Sequence, residues 1–397
     1  GNGLTRRGFL KQAGAAVAAA QVVNRAATAR AASQATSKIR WGMIGTGGQG
    51  CVEIPSLLAV AGAEPAAICD IRPKAIDEAK KLLGDRKVKV YSDYRELVAD
   101  KDVDIVSIVT PPHLHKEMTR AALEAGKHVY CEKPMAVTPE DLDEMVEMSR
   151  KYKPVLQIGA ERRYSEIIRE AVRVIHSGDL GQIRFIQSWW LNGIDYDPKD
   201  DGWIHDAKRS GDVMVEMVCH QIDVWNWLFK STPTKAHAAG GINHYKDQPH
   251  GRTISDHFSF ILEYPTARVS HCLTLYAGVF NGIKDRIMCS DGAMEIDLWD
   301  ARYMEGLPKT WFAKPDWTEI EWPDYDALPE DVKKLDGWRM PEWASYKDFF
   351  ACIREGRKPF CNAETAREFG LSSMMVRKAM QEQRPVTWDE MLKRFAR

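Results

Sequence analysis

The chain has 397 residues, enough for two or three domains at about 100–200 residues per domain. Its 44% hydrophobic and 28% charged residues exclude a disordered, collagenous or disulfide-scaffold protein. Lys and Arg number 55 against 56 Asp and Glu with no long like-charge run, and no apolar run reaches the ~18 residues of a membrane helix, so neither a nucleic-acid partner nor stable membrane insertion is expected.

Residues 1–31 contain five basic residues, Arg6, Arg7, Lys11, Arg25 and Arg30, and no acidic one. The string Thr5-Arg6-Arg7-Gly8-Phe9-Leu10-Lys11 resembles a twin-arginine export signal, and an Ala-rich run with small residues near 27–31 follows it. The alternative is a basic amphipathic arm. The expectation is a signal peptide over 1–31 and a periplasmic or otherwise exported protein. Such export carries folded chains, which suits a protein that binds its cofactor first. Without these residues the net charge moves from −1 to −6, a further argument against nucleic acid. The eight cysteines lack C-x-x-C spacing, and several sit in apolar runs, so they read as small buried side chains rather than a disulfide framework. No His/Cys cluster has metal-ligand spacing, and no metal is expected.

From residue 38, short β-rich runs at 39–44, 64–69, 88–91, 104–109, 128–131 and 155–158 alternate with helical periodicity at 73–83, 115–125 and 139–152. Such alternation predicts βαβ units and a parallel sheet, here a Rossmann dinucleotide-binding domain over 38–160, with ligands outside the carboxyl ends of the strands. After the first run comes Gly45-Thr46-Gly47-Gly48-Gln49-Gly50, a G-x-G-x-x-G that opens a helix. The first glycine permits the turn, the second the approach of a pyrophosphate, and the third close helix packing. The helix N-terminus offers N–H groups to phosphate. Asp70 ends the second run, where a carboxylate binds ribose hydroxyls and repels a 2′-phosphate. The cofactor expected is NAD; Arg72, two residues on, leaves NADP possible.

Beyond residue 160 the pattern changes. Strands at 183–190, 236–241, 256–264, 267–275 and 285–289, with helices at 212–229, 341–354 and 364–381, predict an α+β domain over 161–397 with a mostly antiparallel open sheet. Residues 195–209 and 303–338 read as long loops rich in Asp, Pro and Trp. The overall class is therefore α/β followed by α+β.

Two groupings carry chemistry. Glu132-Lys133-Pro134 ends the fifth run, on the sheet edge that carries Gly45 and Asp70. A lysine there can bind a ribose and a substrate hydroxyl and stabilise a developing alkoxide; otherwise it is a solvated surface lysine. Farther on, Glu216, His220 and Asp223 fall within about 60° of one another on an ideal helix, with Asp212 as its N-cap. A histidine beside a carboxylate can act as a general acid/base near neutral pH; the same stripe can also be a buried polar network that holds the helix to the sheet.

The glycine motif, Asp70, the run Thr110-Pro111-Pro112-His113-Leu114-His115, Glu132-Lys133-Pro134 and the helix from Gly211 to Asp223 resemble the glucose-fructose oxidoreductase / inositol dehydrogenase / rhizopine-catabolism (Gfo/Idh/MocA) family. The resemblance implies that Lys133, Glu216 and His220 surround the nicotinamide as catalytic residues, with Glu216 standing where the family usually has Asp. His220 would take or return the hydroxyl proton while hydride moves to or from the nicotinamide. The cofactor residues implied are Gly45, Thr46, Gly47, Gly48, Gln49, Gly50, Asp70, Arg72, Thr110, Pro111, His115, Glu132 and Lys133. Arg163, Tyr164, Trp203 and Asp223 are candidates for the substrate side, with a structural role as the alternative for Asp223. A homo-oligomer, dimer or tetramer, through the open sheet face is also implied.

The chain has 13 Trp, and Trp189, Trp190, Trp203, Trp225 and Trp227 lie in the second half with His205, Asp206, Lys208 and Arg209. Indole faces stack on sugar rings, although Trp225 and Trp227 also suit a core. The expected substrate is a sugar, polyol or glycoside, oxidised at a secondary or anomeric hydroxyl with a tightly bound, internally recycled cofactor. A competing reading is a glycoside hydrolase or lyase that uses NAD transiently, through oxidation, elimination and reduction. A third is a non-catalytic sugar-binding protein.

Overall fold

The structure, a computed structural model, describes residues 37–193, 202–247, 251–298, 300–307, 314–321, 325–337 and 339–393. The expected signal over 1–31 lies outside the described residues.

The first half is built from β1 (Ile39–Ile44), α1 (Gly48–Leu58), β2 (Ala63–Cys69), α2 (Pro73–Leu83), β3 (Lys89–Tyr91), α3 (Tyr94–Ala99), β4 (Ile105–Ile108), α4 (His115–Glu124), β5 (His128–Glu132), α5 (Pro139–Lys151) and β6 (Leu156–Gly159). All six strands are parallel, in the order β3-β2-β1-β4-β5-β6. The order reverses between β1 and β4, and the crevice at that switch point is where such sheets take ligands. β1, β4, β5 and β6 read as nearly unbroken apolar runs because helices cover both faces.

The second half begins with a 3-10 turn at Glu161–Tyr164 and α6 (Glu166–Ser177), then β7 (Ile183–Leu191), α7 (Ala207–Ser210), α8 (Val213–Glu216) and α9 (Cys219–Phe229). It continues with β8 (Lys235–Gly241), β9 (His257–Glu263), β10 (Arg268–Thr274), β11 (Gly282–Cys289), β12 (Gly292–Asp297), β13 (Ala301–Glu305), β14 (Thr318–Glu319), α10 (Glu330–Lys333), α11 (Arg339–Glu355), α12 (Ala363–Glu382), β15 (Val386–Thr387) and α13 (Trp388–Leu392). Nine strands form one sheet, antiparallel except where β7 pairs with β10. β9 shows why it has one covered face: Phe258, Phe260 and Leu262 are buried while Ser259 and Ile261 are exposed. All eight cysteines are unpaired, six of them buried. Among the described residues no helix is long and apolar enough to cross a membrane.

One expectation needs correction. The single helix over 212–229 is two helices, broken at Met217 and Val218. Asp212 sits at φ +71°, and its buried carboxylate accepts the Val213 N–H at 2.6 Å and the Ser255 N–H and hydroxyl at 3.2 Å each. A tertiary tie to Ser255 thus fixes where the first of the two helices starts. The division at residue 160 separates the two sheets but not the packing. α11 returns to the nucleotide domain, where Trp343, Tyr346, Phe349 and Phe350 pack with Trp41, Met43, Ile54 and Leu57. Burial of such side chains contributes about 1.5–3 kcal/mol each, which is why the late helix is held to the first domain.

Candidate active site

A cavity of about 750 Å³ opens at the switch point. Gly45, Gly47, Gly48 and Gln49 form one wall, Asp70 and Arg72 another, and Thr110 and Pro111 the side toward β4. Glu132 and Lys133 close it from β5, and Trp203, Arg209 and Glu216 reach it from the second domain.

The glycine turn can only be made by glycine. At Gly45 φ is +89°, and a Cβ would lie 2.2 Å from the Val109 carbonyl oxygen. At Gly50 a Cβ would meet the Gly45 carbonyl oxygen at 2.3 Å, so its absence lets α1 start against β1. No side chain caps the start of α1, which leaves first-turn N–H groups for an anion such as a pyrophosphate. Thr46 and Gly50 do not line the cavity; the Thr46 N–H donates to Asp70 Oδ2 at 2.9 Å, so both shape the turn from behind. Asp70 Oδ1 accepts the Arg72 N–H at 2.9 Å and its Nε–H at 3.2 Å. The carboxylate is thus fixed at the end of β2 with Arg72 against it. Ser92, Asp93, Tyr94 and Arg95, from the turn after β3, complete this end.

At the other end, Lys133 Nζ donates to Glu216 Oε1 at 2.8 Å and to the Glu216 carbonyl oxygen at 3.0 Å. Burial opposes the Lys133 ammonium and is the largest single effect, but Glu216, Cys219 and Glu132 together outweigh it, and the Lys133 pKa is raised. His220 stands just behind the cavity wall, its side chain 10% exposed, with Trp190 at 6.0 Å between ring centroids. Its Nδ1 lies 3.1 Å from Glu161 Oε1. Burial pulls the His220 pKa below the ordinary value, and Glu161 only partly restores it, so the imidazole is neutral near pH 7. Burial works against ionisation of Glu161, but His220, Lys133 and Arg162 overcome it and keep its carboxyl below the usual range.

Several expected residues lie elsewhere. His115 is fully buried, with Nδ1 2.9 Å from the Pro134 carbonyl oxygen and Nε2 2.8 Å from that of Thr110. It ties the loop after β4 to the lysine loop rather than lining the cavity, and burial lowers its pKa to about 4. Arg163 and Asp223 form a buried ion pair at 2.7 Å, and the Tyr164 hydroxyl binds Asp348 at 3.1 Å and accepts the Cys361 N–H at 3.2 Å. These three hold the 3-10 turn to α9 and to the 348–361 segment, and none reaches the cavity. Trp225 is fully buried, with its Nε1–H on Asp285 at 3.1 Å, as suits a core residue.

Models of the Gfo/Idh/MocA family match both halves. The oxidoreductase family, NAD-binding Rossmann fold, matches residues 39–160, and the GFO/IDH/MocA C-terminal domain matches residues 168–295. The chain belongs to this oxidoreductase family. Its first half is the family's NAD-binding domain. Inositol 2-dehydrogenase of Salmonella typhimurium is 32% identical over 195 residues, 48% of this chain and 54% of that protein. A glycosyl hydrolase family 109 protein of Shewanella amazonensis is 39% identical over 166 residues, 36% of each chain. Such matches leave much of these relatives uncovered, and the chain spans only about half the length of the curated dehydrogenases it resembles. Levoglucosan dehydrogenase, solved with NADH and levoglucosan, shares the fold with a TM-score of 0.76 at 21% identity, over 88% of this chain and 99% of that one.

Proposed function

We propose that the protein is an exported oxidoreductase that moves hydride between a tightly held NAD and a secondary or anomeric hydroxyl of a sugar, polyol or glycoside. The observation that carries this reading is the Lys133–Glu216 contact on the lining of the nucleotide cavity, with the His220–Glu161 pair just behind that wall. Bound NAD supplies the hydride acceptor and donor. The Lys133 ammonium binds the reacting hydroxyl and stabilises negative charge on its oxygen. Neutral His220 accepts the hydroxyl proton, and Glu161 stabilises the imidazolium that results. Glu216 aims the Lys133 amine. Trp203 offers a flat face to a sugar ring, and Arg209 beside it a hydrogen-bond donor for hydroxyls. Asp70 favours NAD over NADP.

The Salmonella dehydrogenase, by its name, acts on a polyol, and the levoglucosan enzyme on an anhydrosugar. The glycosyl hydrolase family relative supports the second reading, in which a sugar is oxidised, loses its glycosidic substituent and is reduced again. Export rests on the twin-arginine string alone. Because free NAD is scarce outside the cytoplasm, an exported enzyme of this kind retains its nucleotide and resets it internally. A panel of sugars, polyols and glycosides, followed by product mass and nucleotide absorbance together, tests the proposal. A product two hydrogens lighter supports oxidation, and a cleaved glycoside without net nucleotide change supports the second reading. A panel that gives neither, with nucleotide bound, would overturn both.

A further inference from the structure

Three carboxyl groups meet in the interior of the nucleotide domain. Glu53 comes from α1, Glu132 from the residue before Lys133, and Glu342 from α11, the helix that returns to this domain. Each offers an oxygen within 4.8 Å of the others, and none is more than 4% exposed. Among the described residues, no lysine, arginine or histidine forms an ion pair with any of them. Three buried carboxylates at this spacing cannot all be ionised without a compensating cation or protons.

Hydrogen-bond donors surround the cluster. The Gln49 amide donates to Glu53 Oε1 at 3.2 Å and to Glu342 Oε1 at 3.1 Å. The Tyr346 hydroxyl donates to Glu53 Oε2 and is itself 2.6 Å from the Ser107 hydroxyl. The Tyr130 hydroxyl lies 3.5 Å from Glu342 Oε2 and 3.1 Å from Ser345 Oγ. These donors stabilise the ionised forms of Glu53 and Glu342 and so work against burial, which favours the protonated forms. Glu132 Oε2 accepts the Lys133 N–H at 3.0 Å, but its buried Oε1 has no donor. With an oxygen of each within 4.8 Å of the others, the three carboxyls are compatible without a cation only if at least one carries a proton. Burial is the largest effect on all three carboxyls and raises each; Glu161 adds to it on all three and Glu53 on Glu132 and Glu342, against the lowering Tyr346 and Gln49 hydrogen bonds on Glu53, the Gln49 hydrogen bond on Glu342 and the pull of Lys133 on Glu132 and Glu342.

The cluster adjoins the reaction site on two sides: Gln49 and Glu132 line the cavity, and Glu132 precedes Lys133. We propose that Glu53, Glu132 and Glu342 form an internal proton store for the redox reaction. This rests on the hydride-transfer reading above. When a carbinol is oxidised, its C–H and O–H bonds break and a C=O bond forms. The hydride, with both electrons, goes to the nicotinamide, whose positive charge is lost. The hydroxyl proton goes to His220, and a cluster carboxylate that is still ionised takes it up in turn, becoming a carboxylic acid while the imidazole returns to its neutral form. The charge lost on one side of the cavity wall is regained on the other, and the cluster returns the proton when the hydride is given back. Neither hydride nor proton then has to leave a protein that keeps its cofactor.

The test has two readouts. Infrared spectroscopy of the nucleotide-free protein at pH 7 is expected to show a protonated-carboxyl band that weakens in Glu53→Gln and in Glu342→Gln. NAD-loaded protein mixed with an active sugar in weakly buffered indicator is expected to release well under one proton per reduced nicotinamide. A variant with both Glu53→Gln and Glu342→Gln is expected to release close to one. A wild-type protein without the band, or with a stoichiometric divalent metal in place of the protons, overturns the proposal whatever the enzyme's activity. A full proton released by the wild type overturns it while leaving the hydride-transfer reading intact.

Discussion

His220 Nδ1 lies 3.1 Å from Glu161 Oε1, while Glu216, four residues before His220, turns away to hold Lys133 Nζ at 2.8 Å. The base and the cation of the site therefore have separate carboxylates, one from the 3-10 turn after β6 and one from the end of α8. In the proposed reaction Glu161 belongs to the proton step and Glu216 to the aim and charge of the lysine.

Replacing Glu161 and Glu216 separates these roles. Glu161 raises the His220 pKa against the larger lowering effect of burial, so Glu161→Gln lowers it further. Because oxidation needs neutral His220, the acid limb of its pH–rate profile moves to lower pH in Glu161→Gln. The imidazolium loses its partner, so turnover falls about tenfold or more. Glu216→Gln leaves that limb in place and lowers the Lys133 pKa. Rate profiles of the two variants, measured side by side, check this; a shifted acid limb in Glu216→Gln alone would reverse the assignment.

Lys133→Ala and His220→Ala are expected to lower turnover at least about a hundredfold, the scale of a lost charge stabiliser or acid/base. Nucleotide affinity is expected to stay largely intact, because the glycine turn and Asp70 lie at the other end of the cavity. Stopped-flow turnover together with nucleotide titration measures both.

The Rossmann half is the most legible part of the sequence. β1 begins and ends where the apolar run does, and the glycine turn, Asp70 and Lys133 meet at one sheet edge because parallel strands place their carboxyl ends together. What could not be read depends on long-range contacts. Glu161 follows β6 directly, so its place on the sheet edge was available, but its pairing with His220 depends on the break at Met217 and Val218. The start of the preceding helix is likewise fixed at a distance, by Asp212 and Ser255, 43 residues apart. Glu342 joins Glu53 and Glu132 only because α11 folds back by more than two hundred residues.

The Arg163–Asp223 pair tests the distinction between structural and substrate-facing residues. Removing one partner of a buried ion pair costs about 3–5 kcal/mol because the other charge is left uncompensated. Asp223→Ala is therefore expected to lower thermal stability strongly, with KM for the sugar little changed at temperatures where it is folded. Calorimetry and steady-state kinetics decide this; normal stability with a large rise in KM would return Asp223 to the substrate side.

Asp70→Ser is expected to narrow the preference for NAD over NADP, since the serine no longer repels a 2′-phosphate. It also removes the acceptor of the Thr46 N–H, so affinity for both nucleotides is expected to fall. Titration with each nucleotide measures the ratio. A wild-type protein that binds NADP at least as tightly as NAD would show that Arg72 outweighs Asp70.

The central claim, hydride transfer within a protein that keeps its nucleotide, is tested most directly by one experiment. The protein is purified without added nucleotide, its bound nucleotide is quantified after denaturation, and the native preparation is mixed rapidly with an active sugar while reduced-nicotinamide absorbance is followed. The account predicts close to one equivalent of bound nucleotide and a transient of reduced nicotinamide that is lost in Lys133→Ala and His220→Ala. A preparation free of nucleotide whose activity depends on added NAD, or substrate turnover with no reduced nicotinamide at any time, would contradict it.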